Sequence, residues 1–206
     1  MTDTIPVASS SKSKTPAPKR KMRPGGGKSK GNGFEGQIAK KLSLGLAPLN
    51  FIRSPGSGAR VGGKNFEKFG EMFGEEALKL FTADVVPINE RKSGLNFLHS
   101  IECKSYKTPD NFTALVAGSA NVFKWFDESV VDAAKTNKNP LLIFKWNNTP
   151  VFVALDPTHP NCPNHNAGPF KLSITGGPVG NLSKTLHIYL FDELVKHSSF
   201  WYESVL

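Results

Sequence analysis

The sequence has only two cysteines among its 206 residues, Cys103 and Cys162. Two thiols are too few for the disulfide framework of a small secreted protein, and they fit a reducing compartment. Long apolar runs are also lacking, since no stretch approaches the roughly 18 consecutive apolar residues that span a bilayer. The first residues do not resemble a signal peptide either. We therefore expect a soluble, intracellular protein with no membrane partner.

Acidic side chains are scarce in residues 1–33. This segment contains Asp3 as its single acid against eight basic side chains, and so holds +7 of the formal net charge of +9. It is rich in Ser, Pro, Lys and Gly and has almost no large apolar side chain, which predicts a disordered tail. A basic arm on a nearly neutral body suits a polyanion, whether DNA, RNA or an anionic membrane. The residues expected to contact nucleic acid are Lys19, Arg20, Lys21 and Arg23.

Residues 34–206 are predicted to form one folded domain, because the hydrophobic content of 38% can supply a core. Helices and strands alternate along this part, which predicts an α/β fold with a central mixed sheet flanked by helices. The predicted elements, from apolar periodicity and turn residues, are a helix from Phe34, a strand at 50–53, a loop at 54–60, a short helix at 66–81, hairpin strands at 81–88 and 95–104, a helix over 122–133, a hairpin of 141–146 and 150–155, strands near 170–175 and 186–190, and a last helix with Asp192 as its N-cap.

The most informative segment is the predicted strand that contains Glu102 and Lys104. Because side chains alternate along a strand, these two project to the same side, while Ile101 and Cys103 project to the other. Asp84 lies on the preceding strand, so hairpin pairing brings its carboxylate toward Glu102. An acid pair beside an amine is typical of a site for phosphodiester hydrolysis, although a lone Glu-x-Lys is equally an ordinary surface ion pair.

Two converging carboxylates repel each other unless a cation lies between them. Hard oxygen ligands with room for retained water favour Mg²⁺, with Mn²⁺ as a substitute. Glu35 shares one helix face with Ile38, Ala39 and Leu42, at i, i+3, i+4 and i+7, so it points inward and supplies a further acid. The predicted metal ligands are Glu35, Asp84 and Glu102, and Lys104 completes the predicted catalytic set.

This arrangement resembles the PD-(D/E)XK nuclease superfamily, and within it the archaeal and phage type of Holliday junction resolvase. The resemblance covers roughly residues 33–155 and rests on four ordered pieces. They are Gly33-Phe34-Glu35 at the start of a helix, the loop from Arg53 to Arg60, Asp84 on one strand, and Glu102-Cys103-Lys104 on the next. Ala83 stands where the family name has proline, and 26 residues separate Ser57 from Asp84.

The resemblance implies a restriction-endonuclease-like core with a four- or five-stranded mixed sheet, divalent-metal catalysis and a homodimer acting on branched DNA. It assigns metal binding to Glu35, Asp84 and Glu102, catalysis to Lys104, and contact with the scissile phosphate to Ser57 and Arg60. The cellular processes that the resemblance implies are DNA recombination and DNA repair. The expected location is the cytoplasm of a prokaryotic or phage-infected cell, or the nucleus if the source is eukaryotic or viral.

The remaining histidine, cysteine and aromatic residues that could act in a site are explained by ordinary structural roles. The spacing His159-x-x-Cys162-x-x-His165 offers three ligands where a structural zinc site needs four, in a loop rich in Pro and Asn. Cys103 is predicted to be a small buried hydrophobic residue and not a nucleophile. Four aromatic side chains are predicted to pack in the core and not to stack on bases: Trp125, Phe126, Trp146 and Phe152.

Two alternatives to a junction-selective endonuclease stay open at this point. One is a restriction- or repair-type nuclease on the same fold. The other is a non-catalytic nucleic-acid-binding protein whose tail contacts phosphates. Carboxylates that face the substrate argue against the second alternative, because they would repel DNA.

Overall fold

A computed structural model describes residues 26–54, 82–159, 171–176 and 184–205. Several predictions fall outside these ranges: the tail over residues 1–25 with its four basic contacts, the short helix at 66–81, and the predicted phosphate contacts Ser57 and Arg60. Cys162 and His165 lie outside the described residues as well. No helix in the described ranges is long and apolar enough to cross a bilayer.

The first helix, α1, spans Gly26–Gly45. Its buried side includes the predicted stripe, since Ile38, Ala39 and Leu42 are all almost completely inaccessible and Glu35 is buried as well. The helix begins eight residues before the predicted start at Phe34, whereas the predicted boundary between tail and nuclease domain at residue 33 stays a prediction. Glycine disfavours a helix by about 1 kcal/mol relative to alanine, and the glycines of this stretch are the reason that the sequence indicated a later start.

Seven strands form one mixed sheet, which confirms the predicted fold class. The strands are β1 (Phe51–Arg53), β2 (Val85–Pro87), β3 (Leu95–Phe97), β4 (His99–Tyr106), β5 (Asn139–Trp146), β6 (Phe152–Leu155), β7 (Lys171–Gly176), β8 (Lys184–Leu190) and β9 (Tyr202–Ser204). In the main sheet they pair in the order β1-β2-β4-β5-β6-β8-β7, with β4 and β5 parallel and the other pairs antiparallel. A separate ladder joins β3 to β9.

The sheet has a hydrophobic core on each face. In β5, Leu141 and Ile143 pack with α1, whereas Leu142 and Phe144 pack with the long helix over Asn121–Ala134, as strand alternation requires. The shorter helices divide between the two faces in the same way, so the sheet is covered on both sides. The remaining helices are α2 (Glu90–Ser93), α3 (Phe112–Val116), α4 (Asn121–Ala134), α5 (Phe191–Leu194) and α6 (Ser198–Trp201).

The aromatic side chains assigned to the core do lie there. Trp125 and Phe126 are buried, and Trp146 and Phe152 are partly buried against the same cluster under α4. The predicted helix over 122–133 is confirmed as α4, and the second hairpin is confirmed as the antiparallel pair β5–β6. These segments have the strongest periodicity in the sequence, which is why their positions were predictable.

The connection between β2 and β4 differs from the predicted turn. The two strands do pair antiparallel, with Val85 opposite Ile101. Between them, however, Glu90–Ser93 form a helical turn, and β3 pairs with the C-terminal strand β9. Gly94 ends the helical turn at a φ of 66°, a left-handed conformation that favours glycine.

The N-cap prediction for Asp192 is wrong. The strand β8 continues to Leu190, which occupies the N-cap position of α5 without a side-chain cap. Asp192 lies inside the helix and accepts a 2.6 Å hydrogen bond from Nζ of Lys41. The buried side chain of Phe191, at the first helical position, sets this start.

A buried histidine predicts how stability depends on pH. Nε2 of His99 donates a 2.7 Å hydrogen bond to the carbonyl of Phe200, and no hydrogen-bond partner reaches its Nδ1 within the described ranges. Its ring packs on Phe200 and on His159, with centroid distances of 4.5 and 5.1 Å. Burial lowers the pKa of His99 to about 3, and the charges of His159 and Lys138 act in the same direction.

Because the pKa of His99 is about 3 in the folded state and 6.5 in its ordinary state, the unfolded chain binds the additional proton between these values. The contribution of His99 to stability should therefore fall as the pH drops below 6.5, by about 2 kcal/mol at pH 5. Urea unfolding at pH 7 and pH 5, compared between the unaltered protein and the non-titrating variant His99→Gln, isolates this contribution from those of other groups. The same change in stability between the two pH values in both proteins would show that His99 makes no such contribution.

Candidate active site

The strand β4 presents Glu102 and Lys104 on the face that α4 covers. Nζ of Lys104 lies 2.8 Å from Oε1 of Glu102, and the two side chains are 23% and 15% exposed. Their neighbours Ile101 and Cys103 are buried on the face covered by α1. The predicted alternation is thus observed, and an ammonium and a carboxylate are held side by side.

Asp84 lies at the entry to β2, between β1 and β4. Its backbone N–H donates to the carbonyl of Ile101, and its carbonyl accepts from the N–H of Ser54, both at 2.8 Å. Its Oδ2 accepts a 2.8 Å hydrogen bond from the backbone N–H of Cys103. The carboxylate, on a residue that is only 8% exposed, is therefore fixed to the middle of the Glu102-Cys103-Lys104 segment.

The charge of Asp84 affects the ionisation of Glu102. Burial, and after it the charge of Asp84, raise the pKa of Glu102 to about 7 although Lys104 acts in the opposite direction. Burial alone would lower the pKa of Lys104, but the carboxylates of Glu102 and Glu128 outweigh burial and raise it. Lys104 is therefore charged at neutral pH. Its positive charge does not fully offset the cost of ionising Glu102.

Glu35 is buried, but it forms an ion pair with Arg53 and does not join the acids near Lys104. Its Oε2 lies 2.6 Å from Nε of Arg53 in β1. The helix that carries it packs on the Cys103 face of β4, opposite the face of Glu102 and Lys104. The structure therefore brings Asp84, Glu102 and Lys104 together, and places Glu35 with Arg53.

Cys103 lies among the three acids. Burial raises the pKa of its thiol well above the ordinary value, and the charges of Asp84, Glu102 and Glu35 raise it further. A thiol in this environment stays protonated and is a poor nucleophile. Cys103 is a buried member of the core, as the sequence indicated.

The donor set suits a hard divalent cation bound by two carboxylates. Within the described ranges, no group of three or more His, Cys, Asp or Glu side chains is arranged to hold a metal ion. Asp84 and Glu102, however, are oxygen donors, and a cation between them would offset the charge of Asp84, which disfavours the ionised form of Glu102. Mg²⁺ is commonly bound through one or two carboxylates while it keeps several waters.

Two residues of this region had no predicted role. Glu128 in α4 lies 2.8 Å from Nζ of Lys104, and Arg53 neutralises Glu35. Arg53 belongs to the loop motif that supports the resemblance, which was a usable signal. Glu128 is an exposed acid on an amphipathic helix, where ordinary solvation explains a charge equally well.

The chain was compared with known proteins. Neither the curated proteins nor the solved structures gave a match. A family model described as "Phage putative PDDEXK endonuclease" matches residues 26–189, about four-fifths of the chain and all of the site described above. The chain therefore belongs to this PDDEXK endonuclease family, within the PD-(D/E)XK nuclease superfamily.

Proposed function

We propose that the protein is a Mg²⁺-dependent DNA endonuclease that hydrolyses phosphodiester bonds at the site formed by Asp84, Glu102 and Lys104. One observation carries the proposal: the carboxylates of Asp84 and Glu102 lie beside a charged lysine, and burial together with the charge of Asp84 raises the pKa of Glu102 to about 7. A protein that only binds DNA gains nothing from such acids, since they repel phosphate. A nuclease gains a site for a metal ion.

In this proposal Asp84 and Glu102 hold Mg²⁺, or Mn²⁺ in its place. The bound metal would lower the pKa of a water molecule and offset negative charge at the phosphate. Glu35 enters as a third acid by resemblance, and it would have to exchange Arg53 for the metal. Without that exchange, Glu35 serves to hold Arg53 at the edge of the site.

The residues of the chain supply orientation and charge. The hydrogen bond from Cys103 N–H fixes the carboxylate of Asp84, so its free rotation is lost before substrate binds. The ammonium of Lys104 lies beside Glu102, where it can donate to a water or to a phosphate oxygen and stabilise developing negative charge.

The proposed substrate is branched DNA, with the four-way junction first, and the proposed assembly is a homodimer with one site for each of two strands. The resemblance to Holliday junction resolvases supports both. Recombination or repair would be the corresponding cellular process. The basic segment of residues 1–33 supports a polyanionic substrate, because its charge favours phosphate contacts independent of sequence.

The test is cleavage of a labelled four-way junction, beside a duplex and a single strand of the same sequence, in Mg²⁺ and in EDTA. We expect paired nicks in the junction, lost in EDTA and in Glu102→Gln but retained in Glu193→Gln, which changes a 44% exposed glutamate on α5. Equal cutting of all three DNAs would indicate a restriction- or repair-type nuclease. Binding of DNA without any cutting would favour the non-catalytic alternative.

A further inference from the structure

Lys104 is held from two sides by acids on different elements. Its Nζ lies 2.8 Å from Oε1 of Glu102 on its own strand and 2.8 Å from Oε2 of Glu128 on α4. Glu128 is 57% exposed, whereas the lysine is 23% exposed. The lysine therefore lies under the surface acid, with its ammonium between two carboxylates.

The contact between Lys104 and Glu128 belongs to a larger packing interface between β4 and α4. Two residues after Lys104 on the same strand, Tyr106 packs on Trp125 of α4, with ring centroids 4.5 Å apart. Lys104 and Tyr106 are two residues apart on one strand face, and Trp125 and Glu128 are three apart on one helix face. Trp125 is buried in the core, which fixes the rotation of α4 and with it the position of Glu128.

The two acids are not equivalent for a lysine that must act on DNA. Under the proposed function, Glu102 directs its charge to a metal ion and then holds the lysine less strongly. Glu128 is then the acid that still restrains the ammonium. A lysine side chain has four rotatable carbon–carbon bonds and loses orientation readily when nothing restrains it.

We propose that Glu128 is a positioning residue that holds the Lys104 ammonium at the reacting phosphate. This inference rests on the proposed function and extends it to a residue of α4. It predicts that the cleavage rate falls when Glu128 is removed, which electrostatic repulsion alone does not predict. An exposed acid beside a DNA site repels phosphate, so a Glu128 with no positioning role should, when removed, leave the rate unchanged or increase it.

The experiment compares Mg²⁺-dependent cleavage by the full chain and by Glu128→Gln, Glu128→Ala and Lys104→Ala, alone and combined. We expect Glu128→Ala to lower kcat by about 10- to 100-fold, a typical effect of losing a residue that orients a site. KM should stay within about twofold, because DNA binding is not its role. Glu128→Gln keeps an oxygen acceptor and should lose less, and Glu128→Ala should have no further effect once Lys104 is alanine.

The matched control is Glu193→Gln, which removes the same charge from another glutamate–lysine pair, with Oε2 of Glu193 2.6 Å from Nζ of Lys196. Unfolding temperatures of all variants show whether a loss of rate reflects a loss of fold. Unchanged or increased kcat in Glu128→Ala, or an added loss in the Lys104→Ala background, overturns the inference while the nuclease proposal stands. Absence of cleavage by the unaltered protein overturns both.

Discussion

Replacing Glu102 with glutamine is expected to abolish cleavage and at the same time to make the metal-free protein more stable. The loss of cleavage follows because an amide oxygen carries no charge to hold Mg²⁺, and a bound metal supplies several kcal/mol of transition-state stabilisation. A loss of about 1000-fold or more in kcat is expected, which corresponds to about 4 kcal/mol. Single-turnover cleavage of the preferred DNA substrate measures it.

The gain in stability has a separate cause. The pKa of Glu102 rises from 4.5 to about 7 on folding, because burial and Asp84 disfavour its charged form. Glu102 therefore binds the additional proton in the folded state between these values, and its contribution to stability falls as pH rises from 4.5 to 7. At pH 8 the charged side chain costs up to about 3 kcal/mol, and glutamine removes this cost.

Urea unfolding at pH 8 without metal measures the effect, and addition of Mg²⁺ supplies a second comparison. Mg²⁺ should stabilise the unaltered protein by relieving the repulsion between Asp84 and Glu102, and should stabilise Glu102→Gln much less. Glu193→Gln, a half-exposed position, should behave like the unaltered protein in both comparisons. A Glu102→Gln variant that is less stable at pH 8 would contradict the account of two repelling acids.

The placement of Asp84, Glu102 and Lys104 was predictable from the sequence because it depends on local rules. Strand alternation puts Glu102 and Lys104 on one face, and pairing of β2 with β4 brings Asp84 to the same segment. Both rules act over a few residues or across one antiparallel pair. The catalytic roles of these residues remain predictions.

The partners of Glu35 and Lys104 were not predictable in the same way. Helical periodicity shows that Glu35 points inward, but it does not show which face of the sheet the helix covers. Because α1 covers the face opposite Glu102 and Lys104, Glu35 forms its ion pair with Arg53. Glu128 reaches Lys104 only because the buried stripe of α4 packs on β4. Such contacts depend on tertiary packing, which periodicity in one segment does not specify.

The size of the sheet also exceeded the expectation. The resemblance implied four or five strands, and the described ranges contain seven in the main sheet. The additional strands include β7 and β8, from the segment beyond residue 155 that the resemblance does not reach. Pairing of β3 with β9 joins residues more than 100 positions apart, and no short-range signal in the sequence predicts a ladder of that kind.

Replacing Lys104 with methionine keeps most of the side-chain volume and removes the ammonium. We expect kcat to fall by about 100- to 1000-fold, the usual effect of losing one group that stabilises developing negative charge. Lys104→Arg should also be slow, because a planar guanidinium cannot occupy the same point between Glu102 and Glu128. Cleavage rates of both variants near those of the unaltered protein would exclude Lys104 from the reaction.

The methionine variant should also change how metal binding depends on pH. Lys104 lowers the pKa of Glu102, which burial and Asp84 raise to about 7. Without the ammonium that pKa rises further, so at pH 7 more of Glu102 is protonated and unable to bind metal. The Mg²⁺ concentration for half-maximal stabilisation against urea should therefore increase at pH 7 and return toward that of the unaltered protein at pH 8.5. This readout does not require cleavage, so it separates the two consequences of one ammonium group, its action at the phosphate and its effect on the charge of Glu102.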